Sequence, residues 1–249
     1  MPRRLGQSVL ACFVALGTTA CGGSGEAADS VVRVAVPASL AQVMPALIRL
    51  FEEVNDADVE TITGGSALLA GQVVNGAPVD VLMTADGASM EIAKRADAVA
   101  QPIAIASNRA VIAVGSSARD VVRSPGDLAR PGIVVVVCAP QAACGAVADR
   151  VLAQSGVDGS KFAREPDVNA VMTRVRLGEA DAGIAYATDV RPDSRVRVIE
   201  VSPSVTTTYF AAVVHRGPLT GRVRGRAWLA FLGSPDAQAA LSRAGFGPA

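Results

Sequence analysis

The chain has 249 residues, half of them hydrophobic, which is enough for one large domain or two modest ones. Its 23 Lys and Arg residues balance its 23 Asp and Glu residues, and aromatic residues make up only 4% of the sequence. A neutral chain with few aromatic residues lacks the basic face and the stacking side chains that bind nucleic acid, so no nucleic-acid partner is expected.

Residues 1–20 predict a secretory signal peptide. Arg3 and Arg4 precede an apolar stretch at 9–16 that is too short to span a bilayer. Cys21 follows small residues and precedes Gly-Gly-Ser, an arrangement that resembles the lipid-modified cysteine of bacterial lipoproteins. The alternative is an ordinary signal peptide that is cleaved nearby. With a lipid on Cys21, residues 21–30 form a flexible tether, and the exported protein is anchored at the outer face of the cell membrane.

Two further cysteines, Cys138 and Cys144, lie in the segment CAPQAAC. In an oxidising compartment this pair predicts a disulfide that closes a tight loop, with two buried free thiols as the alternative. A metal cation site is not expected, because the single histidine, His215, is far away in sequence.

The first part of the chain alternates strands with helices. Strands are predicted at 31–36, at 59–63 and within 78–86, and helices at 39–55, 66–74 and 87–96. Such βαβ alternation predicts a parallel sheet with helices on both faces.

The second part repeats this pattern. Strands are predicted at 103–114, 132–140, 182–190, 196–201 and 207–214, helices at 144–156 and 167–179, a short helical turn within 124–132, and one or two helices within 229–244. The interpretation is an α/β fold of two lobes, each a doubly wound, mostly parallel sheet flanked by helices. Lobe 1 comprises 31–107 with 209–249, and lobe 2 comprises 108–208. The cleft between two such lobes is a common ligand site.

Four predicted helices begin after strands, at the sheet edge where open α/β sheets bind ligands. Each helix start leaves unpaired backbone N–H groups and a partial positive charge. The starts lie at Ser39, with Gln42 at the spacing of a capping box; at Ser66; at Cys144; and at Val168, which Asp167 precedes as the cap. Taken singly, each of these residues is explained as an ordinary helix cap. Together, two in each lobe, they predict convergence on one small anion.

Several segments resemble the molybdate-binding proteins of bacterial ABC transporters. They are VAVPASL (34–40), TGGSALLAGQVVNGAPVDVLMTAD (63–86), PQAACGAVADRVLAQSG (140–156), PDVNAVMTRVRLGEADAGIAYATD (166–189) and AGFG (244–247). The resemblance implies a type II periplasmic-binding-protein fold, molybdate or tungstate as the ligand, and delivery to a membrane permease. It implies no enzymatic activity and no cofactor, and a monomer is expected.

The resemblance also implies a set of ligand contacts. They are the hydroxyl and backbone N–H groups of Ser39 and Ser66, the backbone N–H groups of Cys144 and Val168, and the hydroxyl of Tyr186. At Cys144 the chain departs from the family, which commonly has Pro-Ala-Gly there. Neutral donors suit a fully deprotonated tetrahedral oxyanion, which offers only acceptors. Hydrogen phosphate would need an acceptor in the site, whereas sulfate differs chiefly in size and stays an alternative ligand.

Two other function classes compete with this interpretation. A serine hydrolase could use Ser66 or Ser39 as the nucleophile, but GGSAL lacks the last glycine of the G-x-S-x-G elbow and His215 is the only imidazole base. A regulatory ligand-binding domain of similar fold is disfavoured by the export signal.

Overall fold

The computed structural model describes residues 30–190 and 195–249. The predicted signal peptide, the predicted lipidation site Cys21 and nearly all of the predicted tether lie outside these residues. None of the helices within the described ranges is both long and apolar enough to cross a membrane.

The first part of the described chain alternates strands and helices. The elements are β1 (Val32–Pro37), a 3₁₀ turn (Ala38–Leu40), α1 (Met44–Glu52), β2 (Val59–Gly64), α2 (Ser66–Val74), β3 (Val81–Thr84), α3 (Gly87–Arg95) and the long β4 (Ile103–Val114). Strands β1 to β4 and helices α2 and α3 confirm the predictions for this part.

The second part begins with two 3₁₀ turns, Ser116–Ala118 and Pro125–Ala129. The following elements are β5 (Val135–Cys138), α4 (Ala143–Gln154), β6 (Ala163–Glu165), α5 (Val168–Leu177), β7 (Ala182–Tyr186), β8 (Arg197–Glu200), β9 (Thr206–Val213), α6 (Leu219–Leu232) and α7 (Pro235–Arg243). The three-residue strand β6 was not predicted, because so short a segment has no periodicity to detect.

The prediction of one helix over 39–55 was wrong. The chain instead makes the 3₁₀ turn and begins α1 only at Met44, with a proline in its first turn, a position where the missing N–H costs nothing. The expected capping box between Ser39 and Gln42 is also wrong, because no side chain caps the turn and Ser39 lies inside it.

Helix α6 begins ten residues earlier than the helix predicted within 229–244. Glycine is a poor helix former, so the segment LTGRVRGRA carries a weak helical signal. Tertiary packing requires these glycines: a Cβ on Gly221 would overlap the Asp80 carboxylate, and one on Gly225 would lie 3.1 Å from the Asp80 carbonyl oxygen. The close approach of α6 to β3 therefore outweighs the local preference.

The sheet has the order β2-β1-β3-β9-β4-β7-β5-β6, with β8 also paired to β4. Parallel pairs lie on both flanks, where β1 pairs with β2 and β3, and β5 pairs with β6 and β7. The central strands β9 and β4 run antiparallel to their neighbours. The α/β class and the parallel flanks follow the prediction.

Two strands, β4 and β9, connect the halves of the sheet and are called the crossing strands below. Residues 103–109 of β4 pair with β9, whereas residues 110–114 pair with β7. The chain therefore passes from the first half (β1–β3, α1–α3, α6 and α7) to the second half (β5–β8, α4 and α5) along β4. It returns along β9, close to the crossings expected from the sequence. The lobe limits at 107/108 and 208/209 stay a prediction.

Each half has its own hydrophobic core. In the second half, the buried valines of β5 and the last residues of β4 pack with α4 and α5. In the first half, one cluster lies between the sheet and α1, α6 and α7, where Trp228 meets Phe51 edge-on at 5.0 Å, and another lies under α2 and α3. Ala143 at the start of α4 packs with the cluster around Trp228, so an apolar contact also joins the two halves.

Candidate functional site

One small cavity between the halves is lined by all five residues that the sequence singled out. The first half contributes the 3₁₀ turn with Ser39 and the start of α2 with Ser66. The second half contributes the starts of α4 and α5, with Cys144 and Val168, and the end of β7 with Tyr186. The cavity volume is about 20 Å³. One water needs roughly 10–15 Å³ on this scale, so the cavity suits a compact ligand.

Ser39 follows β1 directly and is buried in the 3₁₀ turn. Its Oγ accepts a hydrogen bond of 2.8 Å from the hydroxyl of Tyr209 on β9. A serine hydroxyl has one hydrogen to donate and two lone pairs to accept with. Since a lone pair is already engaged by Tyr209, the hydrogen of Ser39 is available to a ligand in the cavity.

Ser66 is the first residue of α2 and is 2% exposed. Its Oγ accepts a hydrogen bond of 2.9 Å from the backbone N–H of Ala85, so its own hydrogen is also available for donation. The preceding glycines lie where the halves meet. A Cβ on Gly65 would lie 3.3 Å from the carbonyl oxygen of Pro166 in the second half, which explains a residue without a side chain at this point.

Helix α4 begins at Ala143, one residue before the predicted start at Cys144, after an extended Ala142. A disulfide joins Cys144 to Cys138 at the end of β5, so only the backbone N–H of Cys144 remains as a donor. A Cβ on Gly145 would overlap the carbonyl oxygen of Ala139. The tight loop therefore needs both the disulfide partner and the glycine in its first helical turn.

Helix α5 begins at Val168, as predicted, and Asp167 is its N-cap. The Asp167 Oδ1 accepts from the Ala170 N–H at 3.0 Å, which leaves the Val168 N–H in the first turn for another acceptor. The next side chain links the halves, because Asn169 Nδ2 donates to the Ala38 carbonyl oxygen at 3.3 Å. The cavity is thus bounded on one side by a direct contact between the two halves.

Tyr186 ends β7 and is 2% exposed. Within the described residues, its hydroxyl is buried and has no hydrogen-bond partner. Burial raises the pKa of Tyr186 well above its ordinary value, so the hydroxyl keeps its proton and stays a donor. A buried hydroxyl without a partner is costly and needs an explanation. A ligand acceptor in the cavity that Tyr186 lines provides one.

Charged side chains contribute little to the cavity wall. Among the described lining residues Asp167 is the only ionisable carboxylate, and neither Arg nor Lys is present. Behind the wall, Asp189 Oδ2 accepts from the Tyr186 N–H, and burial raises the pKa of Asp189 to about 7. Helix starts and hydroxyl groups therefore supply the positive potential at this site, without a formal positive charge.

The described residues lack the parts of a hydrolase or of a cation site at the cavity. The His215 ring lies against Asp97 and is not part of the lining. No group of three His, Cys, Asp or Glu side chains in the described chain could hold a metal ion. The arrangement is a set of donors that converge on one point, which is suited to binding an anion.

A family profile decides the class of this protein. The profile described as bacterial extracellular solute-binding protein matches residues 32–247. The chain belongs to this family. Solute-binding proteins of this kind act outside the cytoplasm and bind their ligand without turnover, so the serine-hydrolase alternative is not supported.

Individual relatives and solved structures of known ligand are also similar to this chain. The molybdate-binding protein ModA of Mycobacterium tuberculosis is 31% identical over 196 residues, which are 74% of this chain and 75% of the relative. Among solved structures, the periplasmic molybdate-binding protein of Azotobacter vinelandii superposes with a TM-score of 0.75 at 18% identity, over 86% of this chain and 98% of that one. The sulfate-binding protein SubI of Mycobacterium tuberculosis superposes with a TM-score of 0.76 at 20% identity, over 88% of this chain and 87% of that one. At these identities the two structures show the shared fold.

The sequence did not reveal the groups behind the two serines. Tyr209 and Asn108 lie on the crossing strands outside the segments that resemble the family, and Ala85 follows β3 within one of those segments without any signal that it contacts Ser66. Strand periodicity alone places Tyr209 on a buried face, but only the assembled sheet shows that it reaches Ser39, 170 residues away.

Proposed function

We propose that this solute-binding protein captures molybdate, and also tungstate, in the cavity between its halves and delivers the anion to an ABC permease. No cofactor takes part. The ligand contacts are the hydroxyls of Ser39, Ser66 and Tyr186 and the backbone N–H groups at Ser39, Ser66, Cys144 and Val168. Tungstate is included because it has the same charge and shape as molybdate.

The observation that carries the proposal is the buried Tyr186 hydroxyl without a protein partner, beside a cavity lined by other donors. A tetrahedral dianion with four acceptor oxygens satisfies all of these donors at once. Hydrogen bonds to a charged acceptor are about twice as strong as neutral ones, which offsets the loss of the anion's hydration. The 31% identical ModA supports molybdate as the anion.

Binding by donors from both halves explains capture. Only the closed arrangement, in which Asn169 meets Ala38, supplies every donor, so the ligand favours this arrangement over an open one. Because the contacts are neutral dipoles, the anion can leave again when the permease separates the halves.

Sulfate is the second candidate, favoured by the structural similarity to a sulfate-binding protein. Sulfate is also a dianion with acceptors only, and it is smaller than molybdate. The same donors fit both anions, so the size of the closed cavity decides between them.

A ligand panel tests the proposal. Isothermal titration and thermal unfolding are measured with molybdate, tungstate, sulfate and hydrogen phosphate at pH 8. A ligand at 100 times its Kd stabilises the folded protein by about 2.7 kcal/mol, which for a chain of this size raises Tm by roughly 5–11 °C. We expect this rise with micromolar molybdate and tungstate. An equal response to sulfate would replace molybdate by the second candidate, and no response to any of the four would refute the proposal.

The membrane anchor and the monomeric state belong to the same proposal and come from the sequence. We propose that Cys21 carries a lipid after removal of residues 1–20. Labelling of cells with a clickable fatty acid should mark the wild-type protein and not a Cys21→Ser variant, which should be released from the membrane fraction. Unlabelled wild-type protein would refute the anchor. Light scattering of the purified soluble domain should give the mass of one chain.

A further inference from the structure

The direction of the hydrogen bond between Tyr209 and Ser39 matters for the ligand. A serine hydroxyl can donate to a ligand or accept from it, depending on where its hydrogen points. An anion without protons needs a donor at this place, whereas a protonated anion can also use an acceptor. Whatever fixes the Ser39 hydrogen therefore affects which anions bind.

A chain of hydrogen bonds through the crossing strands fixes this direction. The backbone N–H of Arg109 can only donate, and it donates to Asn108 Oδ1 at 2.9 Å. The other end of the Asn108 amide is therefore the NH₂ group, which donates to Thr188 Oγ1 at 2.8 Å and to Tyr209 Oη at 3.4 Å. Tyr209 Oη then gives its own hydrogen to Ser39 Oγ at 2.8 Å. We call Asn108, Tyr209 and Ser39 the hydroxyl relay.

Burial keeps the relay in this state. Tyr209 is fully buried and Asn108 is 4% exposed, so water does not compete for their hydrogen bonds. Burial also raises the pKa of Tyr209 well above its ordinary value, and the hydroxyl therefore remains a donor across the physiological pH range. Because Tyr209 engages a lone pair of Ser39 Oγ, the Ser39 hydrogen is free to point into the cavity.

The second serine provides an internal comparison. Ser66 Oγ is held by the backbone N–H of Ala85, a donor that no side-chain substitution removes. The direction of the Ser66 hydroxyl is thus built into the main chain, while that of Ser39 depends on one side chain from β9. Of the two, only the Ser39 hydroxyl can be released by a single substitution behind the cavity wall.

We propose that Tyr209 is a positioning residue, which holds the Ser39 hydroxyl as a donor towards the cavity and so favours oxyanions that carry no proton. This inference deepens the proposed function and rests on it. Tyr209 does not line the cavity, so it acts through Ser39. Without the Tyr209 hydroxyl, the Ser39 hydroxyl can turn and accept a hydrogen bond from the P–OH group of a ligand such as hydrogen phosphate.

A double-mutant cycle on molybdate binding tests the coupling. Kd is measured by titration calorimetry for the wild type, Tyr209→Phe, Ser39→Ala and the double variant. We expect Tyr209→Phe to raise Kd by between about 2- and 12-fold when Ser39 is present, the range of one neutral hydrogen bond. In the Ser39→Ala background the same substitution should change Kd by less than about twofold. Equal losses in both backgrounds, or no loss in the first, would overturn the inference.

Selectivity gives a readout that a purely structural role would not change. The ratio of the affinities for molybdate and hydrogen phosphate is measured by competition at pH 8, where both anions carry two negative charges. Tyr209→Phe should lower this ratio by about fivefold or more, since only hydrogen phosphate gains from a Ser39 hydroxyl that can accept. An unchanged ratio would overturn the inference.

A second variant, Asn108→Asp, tests the same inference if Tyr209→Phe folds poorly. In Asn108→Asp an oxygen faces Tyr209 Oη and accepts its hydrogen, so that Ser39 donates to Tyr209 and offers lone pairs to the cavity. The added negative charge acts equally on two dianions, so it cancels in the ratio, which should again fall. If the wild type binds none of the oxyanions, the proposed function fails together with the inference; if it binds molybdate and both variants keep the wild-type ratio, the inference alone fails.

Discussion

Tyr186→Phe is the most informative single substitution, because it should change stability and affinity in opposite directions. The Tyr186 hydroxyl is buried and has no hydrogen-bond partner among the described residues. Its removal eliminates a desolvation penalty of about 1–3 kcal/mol, or less to the extent that water enters the cavity. We therefore expect no loss of stability and at most a gain of about 3 kcal/mol. At 2–4 °C per kcal/mol, Tm should stay constant or rise.

The same substitution should weaken ligand binding. In the proposed complex the hydroxyl donates to a charged oxygen, and such a hydrogen bond contributes about 1.5–3 kcal/mol. The expected increase in the molybdate Kd is therefore roughly 10- to 150-fold, measured by titration calorimetry. The ring remains, including its edge contact with Tyr209, so the packing around the cavity should not change.

The chain supplies a matched control, since it contains only two tyrosines. Tyr209→Phe removes the same atom from a hydroxyl that accepts from Asn108 and donates to Ser39, and it should lower the free energy of unfolding by about 1 kcal/mol. Denaturant unfolding without ligand compares the two variants. The reasoning is refuted if Tyr186→Phe destabilises the protein as much as Tyr209→Phe and leaves the molybdate Kd unchanged.

Three further predictions concern the surroundings of the cavity. Replacing Cys138 and Cys144 by Ala should lower the free energy of unfolding by about 2 kcal/mol and weaken ligand binding, and a thiol reductant should affect the wild type but not this variant. Burial raises the pKa of Asp189 to about 7 in the folded protein, so the folded state holds this proton more tightly than the unfolded state. The free energy of unfolding should therefore fall by about 3 kcal/mol from pH 5 to pH 8 in denaturant titrations. This fall should be absent in Asp189→Asn. Gly145→Ala should lower Tm and affinity because α4 must shift, whereas Gly71→Ala, in open space on α2, should be neutral or stabilising in the same melts.

Local chemistry made much of the fold and the site predictable. The alternation of apolar strands with amphipathic helices predicted the parallel flanks, and Asp167 was correctly expected to cap α5. The five residues expected from helix starts and from the family resemblance line one cavity. Their roles as ligand contacts stay a prediction until binding is measured.

Features that depend on distant contacts were not predictable. Ser39 looked like a helix cap, yet its Oγ is engaged by Tyr209 and the helix begins only at Met44. The first turns of α6 were missed because Gly221 and Gly225 weaken the helical signal and are needed only for the approach to Asp80. In each case the deciding partner is far away in sequence, where no local pattern can register it.

The crossing strands join the two halves of the sheet, and the residues that line the cavity are not part of these strands. The candidate binding residues lie in a 3₁₀ turn, at the starts of three helices and at the end of β7, and all of them line one cavity. Substitutions at these few positions can therefore change the shape and polarity of the cavity while the crossing strands and the hydrophobic clusters of both halves stay intact. Such an architecture lets evolution, or a protein engineer, change the recognised solute without redesigning the sheet.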